Sequence, residues 1–182
     1  MKILKVFFLL LVFLIFSESY ALEIKKLRGY LYEKNILLSI FYKDFPFQEL
    51  VLALKEQKNP ILIEYEFEIY RKRFLLKDIL HKEKYYQKLY YNSEKNLYYL
   101  EDNFGLKAFE KPENAILSVM NLESYPLRYT FIPEKNSLNL KIKITITYIT
   151  HLSEDLKYTK KHHSKKIETE KTIWINELLE KF

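Results

Sequence analysis

The sequence predicts a mainly β domain: an antiparallel two-sheet β-sandwich with one or two short amphipathic helices. Three observations predict it. First, two long segments alternate. In Ile61–Arg71, the residues Ile61, Ile63, Tyr65, Phe67 and Ile69 share one face, and Glu64, Glu66 and Glu68 share the other. In Leu138–Leu152, the residues Leu138, Leu140, Ile142, Ile144, Ile146 and Tyr148 oppose Asn139, Lys141, Lys143, Thr145 and Thr147. Period-2 alternation marks a half-buried strand with one wet face. Second, the chain carries 16 tyrosines and 13 phenylalanines against two glycines. Aromatic residues favour pleated surfaces, and so few glycines exclude a linker or low-complexity segment. Third, the order strand, strand, helix, strand, then further strands leaves no repeated strand–helix–strand crossover of the kind a parallel sheet requires.

The elements follow in order. Met1–Lys5 holds two lysines, Val6–Phe16 is an unbroken apolar run, and Ser17–Ala21 is short and polar with small residues at Ser19 and Ala21. This is the layout of a secretory signal peptide cleaved after Ala21. A spanning helix needs about 20 apolar residues, and Lys5 interrupts any extension of the run. An uncleaved anchor is the alternative. The expected division is therefore a signal peptide over 1–21 and a single mainly β domain over 22–182, exported to the periplasm or cell envelope. Cysteine is absent, so there is neither a disulfide framework nor a lipoprotein attachment site.

Three hairpins are expected. Ile24–Glu33 and Ile36–Tyr42 flank Lys34-Asn35, and Tyr85–Tyr91 and Leu97–Glu101 flank Asn92–Asn96. Leu127–Ile132 meets the long strand across Pro133–Asn136. Turn-forming residues occupy each gap. Ile167–Ile175 reads as the last strand. The length of Leu138–Leu152 predicts a bent strand or one crossing between the sheets. Between these, Phe47, Leu50, Val51 and Leu54 form a helical stripe, with Asp44 placed to cap it and Pro46 in its first turn. A second helix begins near Pro112, with Ala115, Ile116, Val119 and Met120 on one face and Asn121 as its stop.

Chemistry-bearing motifs are sparse. Without cysteine there is no thiol nucleophile or thiolate metal site. The four histidines, His81, His151, His162 and His163, make no chelating spacing. Gly29 lies mid-strand and marks a bulge or a close backbone approach. Gly105, after Asp102-Asn103, serves a turn. Glu64, Glu66 and Glu68 form a carboxylate ladder expected to be solvated or paired across strands by Lys141, Lys143 or Arg71-Lys72-Arg73. No catalytic, cofactor-binding or metal-ligating residue is assigned, and no cofactor is expected.

Two surfaces remain as binding candidates. One is the outward-facing tyrosine set Tyr86, Tyr90 and Tyr98, from a region that also holds Tyr85, Tyr91 and Tyr99. The other is the basic run Lys157, Lys160, Lys161, His162, His163, Lys165 and Lys166, read as a solvated hairpin tip that keeps strand edges apart. Nucleic acid is not an expected partner, because the aromatics are not interleaved with the basic run as a stacking platform requires.

One resemblance adds to this. The run Phe47–Gln57 is followed by Pro60-Ile-Leu-Ile-Glu-Tyr-Glu-Phe-Glu-Ile-Tyr-Arg-Lys-Arg, then by Asp78, the hairpin from Lys88 through Tyr98, and Glu113-Asn-Ala-Ile-Leu. In order and apolar spacing this resembles the bacterial domain of unknown function 4390 family, over roughly residues 22–127. The basic run at 157–166 has no counterpart in that pattern. The resemblance implies an exported bacterial protein and transfers no site residue. Together these readings give the expected function: a non-enzymatic envelope protein acting as a protein-binding or scaffold module, with an envelope protein as partner. The alternative is a carrier of a lipid-like apolar ligand, held between the sheets against Phe67, Ile142 and Ile144. A lipid or an anionic membrane surface is the second class of partner. A hydrolase assembled from distant residues is the third hypothesis.

Overall fold

A computed structural model describes residues 22–33, 35–56, 59–73, 76–130, 138–151 and 162–179. They form nine strands and three short helices. In chain order these are β1 (Glu23–Tyr32), β2 (Asn35–Lys43), α1 (Phe47–Glu56), β3 (Ile61–Arg73), β4 (Leu76–Asn92), β5 (Leu97–Asp102), β6 (Gly105–Phe109), α2 (Pro112–Leu117), β7 (Asn121–Thr130), β8 (Asn139–His151), β9 (His162–Trp174) and α3 (Ile175–Leu179). Every pairing is antiparallel. A three-stranded sheet, β1-β2-β7, packs on a six-stranded sheet, β6-β5-β4-β3-β8-β9. The mainly β two-sheet architecture is as the alternation predicts.

The strand faces follow directly from the residue pattern. Ile61, Ile63, Tyr65, Phe67 and Ile69 of β3 are buried, as are Leu140, Ile142, Ile144, Ile146 and Tyr148 of β8. They meet Ile36, Leu38 and Ile40 of β2 and Leu122, Tyr125 and Leu127 of β7 in one core. The Phe67 ring stacks on that of Tyr125, with centroids 5.1 Å apart, joining the two sheets. The helical stripe of α1 adds Leu50, Val51 and Leu54 to the core. Among the described residues no helix is long and apolar enough to cross a membrane. The expected leader, 1–21, lies outside the described residues.

Several expectations are corrected. β8 pairs with β9 along its whole length and with β3 from Asn139 to Thr147, so it does not cross between sheets. β7 and β8 are not a hairpin: β7 pairs with β2 in the small sheet, and β8 lies in the large one. Both strands carry apolar faces, and alternation alone does not say which sheet a face belongs to. The expected turn at 133–136 lies outside the described residues. β4 begins at Leu76 rather than Tyr85, because inward polar residues His81 and Glu83 and a bulge opposite Ile69/Tyr70 hide its periodicity. β9 begins at His162, so Lys165 and Lys166 lie within a strand and not at a turn. β6 is too short to show alternation at all.

Local details also differ. Asp44 takes a left-handed backbone (φ 56°), whereas an N-cap residue is extended, so it forms a turn before the helix. The Pro46 carbonyl opens α1 by accepting from Leu50 N–H at 3.1 Å. The second helix ends at Leu117, and Asn121 starts β7. Gly29 does mark a close approach. A Cβ there would stand 2.7 Å from Leu178 Cγ of α3. Gly105, at φ 152°, occupies backbone space that other residues rarely adopt.

Candidate functional site

The two sheets differ in width, and this difference creates a cleft. β7 lies over β4, so β5 and β6 project beyond the small sheet. α2 covers part of the overhang. Between α2, β7 and the β5–β6 hairpin is a cleft of about 630 Å³. Its lining includes Tyr85, Gln87, Phe104, Lys107, Leu117 and Tyr125.

Each wall has a local cause. Tyr85 points inward from β4, and its ring packs against Tyr125 at 4.7 Å, Tyr65 at 5.5 Å and Phe104 at 5.7 Å. Its hydroxyl donates to Asp102 Oδ2 at 3.0 Å. Burial, then the adjacent Asp102 charge, pushes the Tyr85 phenol well above its ordinary range. Asp102 Oδ1 accepts from the backbone N–H groups of Phe104 at 2.8 Å and Gly105 at 3.0 Å. With both oxygens engaged, Asp102 builds the two-residue turn Asn103-Phe104 and projects Phe104 outward. Gln87 forms the buried back wall. Its Oε1 accepts from Tyr65 at 3.0 Å, and the Tyr65 hydroxyl accepts from Tyr42 at 3.1 Å.

Phe104 and Leu117 are the exposed apolar rim, at 61% and 53% exposure. Lys107 brings a cation to one side and Glu123 a carboxylate to the other. The cleft is mixed in character: the Tyr85 and Tyr125 rings and the rim of Phe104 and Leu117 lie among Gln87, Asp102, Ser118, Asn121 and Ser124, and it presents more polar than apolar surface. Such a site holds an apolar or aromatic side chain against the rings and orients it by polar and charged contacts around them.

Beside the cleft, the outer edge of β7 is protected. Arg128 N–H turns away from β2 and donates to Glu83 Oε2 at 2.8 Å. Pro126, two residues earlier and so facing the same way, has no N–H. These two features deny an added strand its donors on this edge. Glu83 itself is nearly buried, with an 8% exposed side chain. It also accepts from Tyr125 Oη at 2.5 Å and lies 3.2 Å from His81 Nε2.

The residues expected from the sequence lie elsewhere and do not form one surface. Tyr86 and Tyr90 are on the outer face of the large sheet, where Tyr90 stacks on Tyr99 at 5.6 Å. Tyr98 is on the opposite face, packed against Tyr91 at 5.0 Å and the core, so the set Tyr86, Tyr90, Tyr98 lines no common groove. The pairing of Tyr90 with Tyr99 and of Tyr91 with Tyr98 decides the faces, and hairpin register is not visible in a run of tyrosines. Lys160 and Lys161 lie outside the described residues. Lys165 reaches back to Glu49 of α1 at 2.7 Å, and Tyr148 donates to the same carboxylate. Burial alone would raise the Glu49 pKa, but these two partners outweigh it and lower it. Lys165 thus ties α1 to the sheet.

Two rungs of the carboxylate ladder, Glu66 and Glu68, are paired across strands, while exposed Glu64 stands opposite Tyr86 and Thr145. The partners form stripes of alternating sign across four strands. Lys82 and Lys84 of β4 face Glu68 and Glu66 of β3, at 3.1 and 2.8 Å. On the next two strands Lys141 and Lys143 face Glu170 and Glu168, at 2.8 and 3.2 Å. Hydrogen bonds from Lys166 and Lys143 lower the Glu168 carboxyl to about 2. The direct partners of Glu66 and Glu68 are thus β4 lysines, not Lys141 and Lys143.

Among the described residues, no three His, Asp or Glu side chains are grouped so as to hold a metal ion. The cleft is not legible in the sequence because its walls come from β4, β5, β6, α2 and β7. The one local signal is Phe104, an aromatic in a two-residue turn where a polar residue is usual. No family model, no curated protein and no solved structure matches the chain. The resemblance to the domain of unknown function 4390 family therefore rests on the apolar spacing alone.

Proposed function

We propose that this chain is an exported, non-enzymatic protein-binding module of the cell envelope, with the cleft beside β7 as its binding site. The leader pattern of residues 1–21 supports export. The observation that carries the binding reading is the cleft itself: an aromatic wall of Tyr85 and Tyr125, an exposed apolar rim of Phe104 and Leu117, and Lys107 at the side. Such a site takes an apolar side chain from a partner segment and sets its orientation through charged groups on that segment that meet Lys107 and Glu123. The β7 edge lacks donors over 126–128, so recognition runs through side-chain pockets and not through an added strand. A lipid carrier would use Phe67, Ile142 and Ile144, but these are at most 1% exposed, and Phe67 is stacked on Tyr125.

The test is a photo-crosslinking residue at position 104 in the native cell. A discrete protein adduct is expected. It should disappear with Leu117→Asp and persist with Lys166→Ser. An absent adduct, or one unchanged by Leu117→Asp, would overturn the proposal.

A further inference from the structure

At the end of the sandwich where β3 turns into β4, the outer face changes character. Most of that face is the charge ladder. Its last row to span four strands carries three large apolar or aromatic side chains and one buried amide: register places Ile79, Tyr70, Asn139 and Trp174 side by side across β4, β3, β8 and β9. The row is about 14 Å wide at ordinary strand spacing. Ile79 and Trp174 are 45% and 54% exposed, and Leu80, the bulged residue next to Ile79, is also exposed. Leu76, at the start of β4, is 77% exposed. The β1–β2 hairpin ends at the same end of the molecule, because Tyr32 pairs with Asn35 and Asn35 with Thr130, just past Tyr129, whose ring lies by His81 of β4. It adds exposed Leu31 and Tyr32.

Cations flank these apolar groups. β3 ends in the run Arg71-Lys72-Arg73. Lys72 is exposed and pairs in register with Lys77, whose ammonium lies 4.0 Å from the centre of the Tyr70 ring and also reaches Glu68. Among the described residues, the acidic groups nearby include Asp78, opposite Arg71, Glu33, in the β1–β2 turn, and Glu177 of α3, three residues past Trp174.

We propose that this end docks on an anionic phospholipid bilayer. Trp174, Ile79, Leu80 and Leu76 enter the interface, and Lys72 and Lys77 meet the headgroups. Tryptophan and tyrosine partition to the boundary between headgroup and acyl chain, and aliphatic side chains beside them add apolar area. Basic residues next to that area confer a preference for anionic lipid and a dependence on salt. The charge complementarity selects lipid over a second copy of this chain, which would present the same cations. The proposal does not depend on the cleft, which opens on the opposite face of the large sheet.

The chain has one tryptophan, so Trp174 reports from the site itself. The full chain is titrated with vesicles of phosphatidylglycerol and phosphatidylcholine, and with phosphatidylcholine alone. Trp174 emission should shift to the blue and be quenched by brominated acyl chains on the anionic vesicles. High salt should weaken the response. The double change Ile79→Ser/Leu80→Ser should raise the lipid concentration for half-maximal shift by roughly tenfold or more. Lys72→Glu should act in the same direction, and Lys166→Ser should leave the shift unchanged. Near-UV circular dichroism checks that each variant is folded. Vesicle binding without a Trp174 shift would place the contact on the apolar N-terminal run and overturn the proposal. So would a shift that appears on raising protein concentration alone, which would mark self-association.

Discussion

Glu83 and Tyr125 hold the two sheets together through a hydrogen bond of 2.5 Å, the phenol of β7 donating to a carboxylate that points inward from β4. The same carboxylate accepts Arg128 N–H, so two donors on β7 depend on one residue of the opposing sheet. Glu83→Ala should cost about 1–3 kcal/mol, because it leaves both donors without their partner. Tyr125→Phe should cost a similar amount, and the double variant less than the sum. Denaturant titration of the three variants measures the coupling, and simple additivity would show that the pair does not act as a unit.

Gly29→Ala tests the contact between β1 and α3. An alanine within an ordinary strand is favoured over glycine. Here its Cβ would meet Leu178 Cγ at 2.7 Å, so overpacking decides the sign. A loss of about 1–3 kcal/mol is expected. In a Leu178→Ala background the penalty should vanish, while that background carries its own cavity cost.

Alkaline pH should unfold the protein through its buried tyrosines. Tyr42, Tyr65, Tyr85, Tyr125 and Tyr148 all have phenols raised above the ordinary value of 10.0, chiefly by burial. A raised folded-state value means that stability is complete below about pH 10. It falls above that pH, as the unfolded chain releases protons that the folded chain retains. Each such tyrosine steepens the fall by about 1.4 kcal/mol per pH unit. Tyrosinate absorbance should rise in two stages, the second coinciding with loss of β-sheet circular dichroism. A single smooth rise complete before unfolding would show these phenols to be accessible.

The ladder on the outer face predicts a charge-swap result. Lys84→Glu places a carboxylate opposite Glu66 and should lower the melting temperature. Adding Glu66→Lys restores opposite charges on the β3–β4 pair and should recover most of the loss. It also sets a lysine opposite Lys143, so recovery is incomplete. The difference should shrink at high salt.

Much of the fold is determined by the sequence alone. Alternation sets the faces of β3 and β8 because successive side chains of a strand must point to opposite sides. The helical stripe of Phe47, Leu50, Val51 and Leu54 is local in the same way, and Gly29 is legible because a glycine inside a strand implies a close neighbour. The polar ladder was legible as a paired face, although its partners were not. Tertiary structure alone decided the rest. Period-2 patterning says which side of a strand is apolar but not which strand lies beside it, so the separation of β7 from β8 and the turning of Tyr98 toward the core both required the register. The cleft required still more. It exists because a six-stranded sheet outreaches a three-stranded one, and strand order is a property of the assembled chain. Glu83 is hidden for the same reason: an inward carboxylate breaks the alternation of β4 and becomes intelligible only when Tyr125, Arg128 and His81 are brought around it.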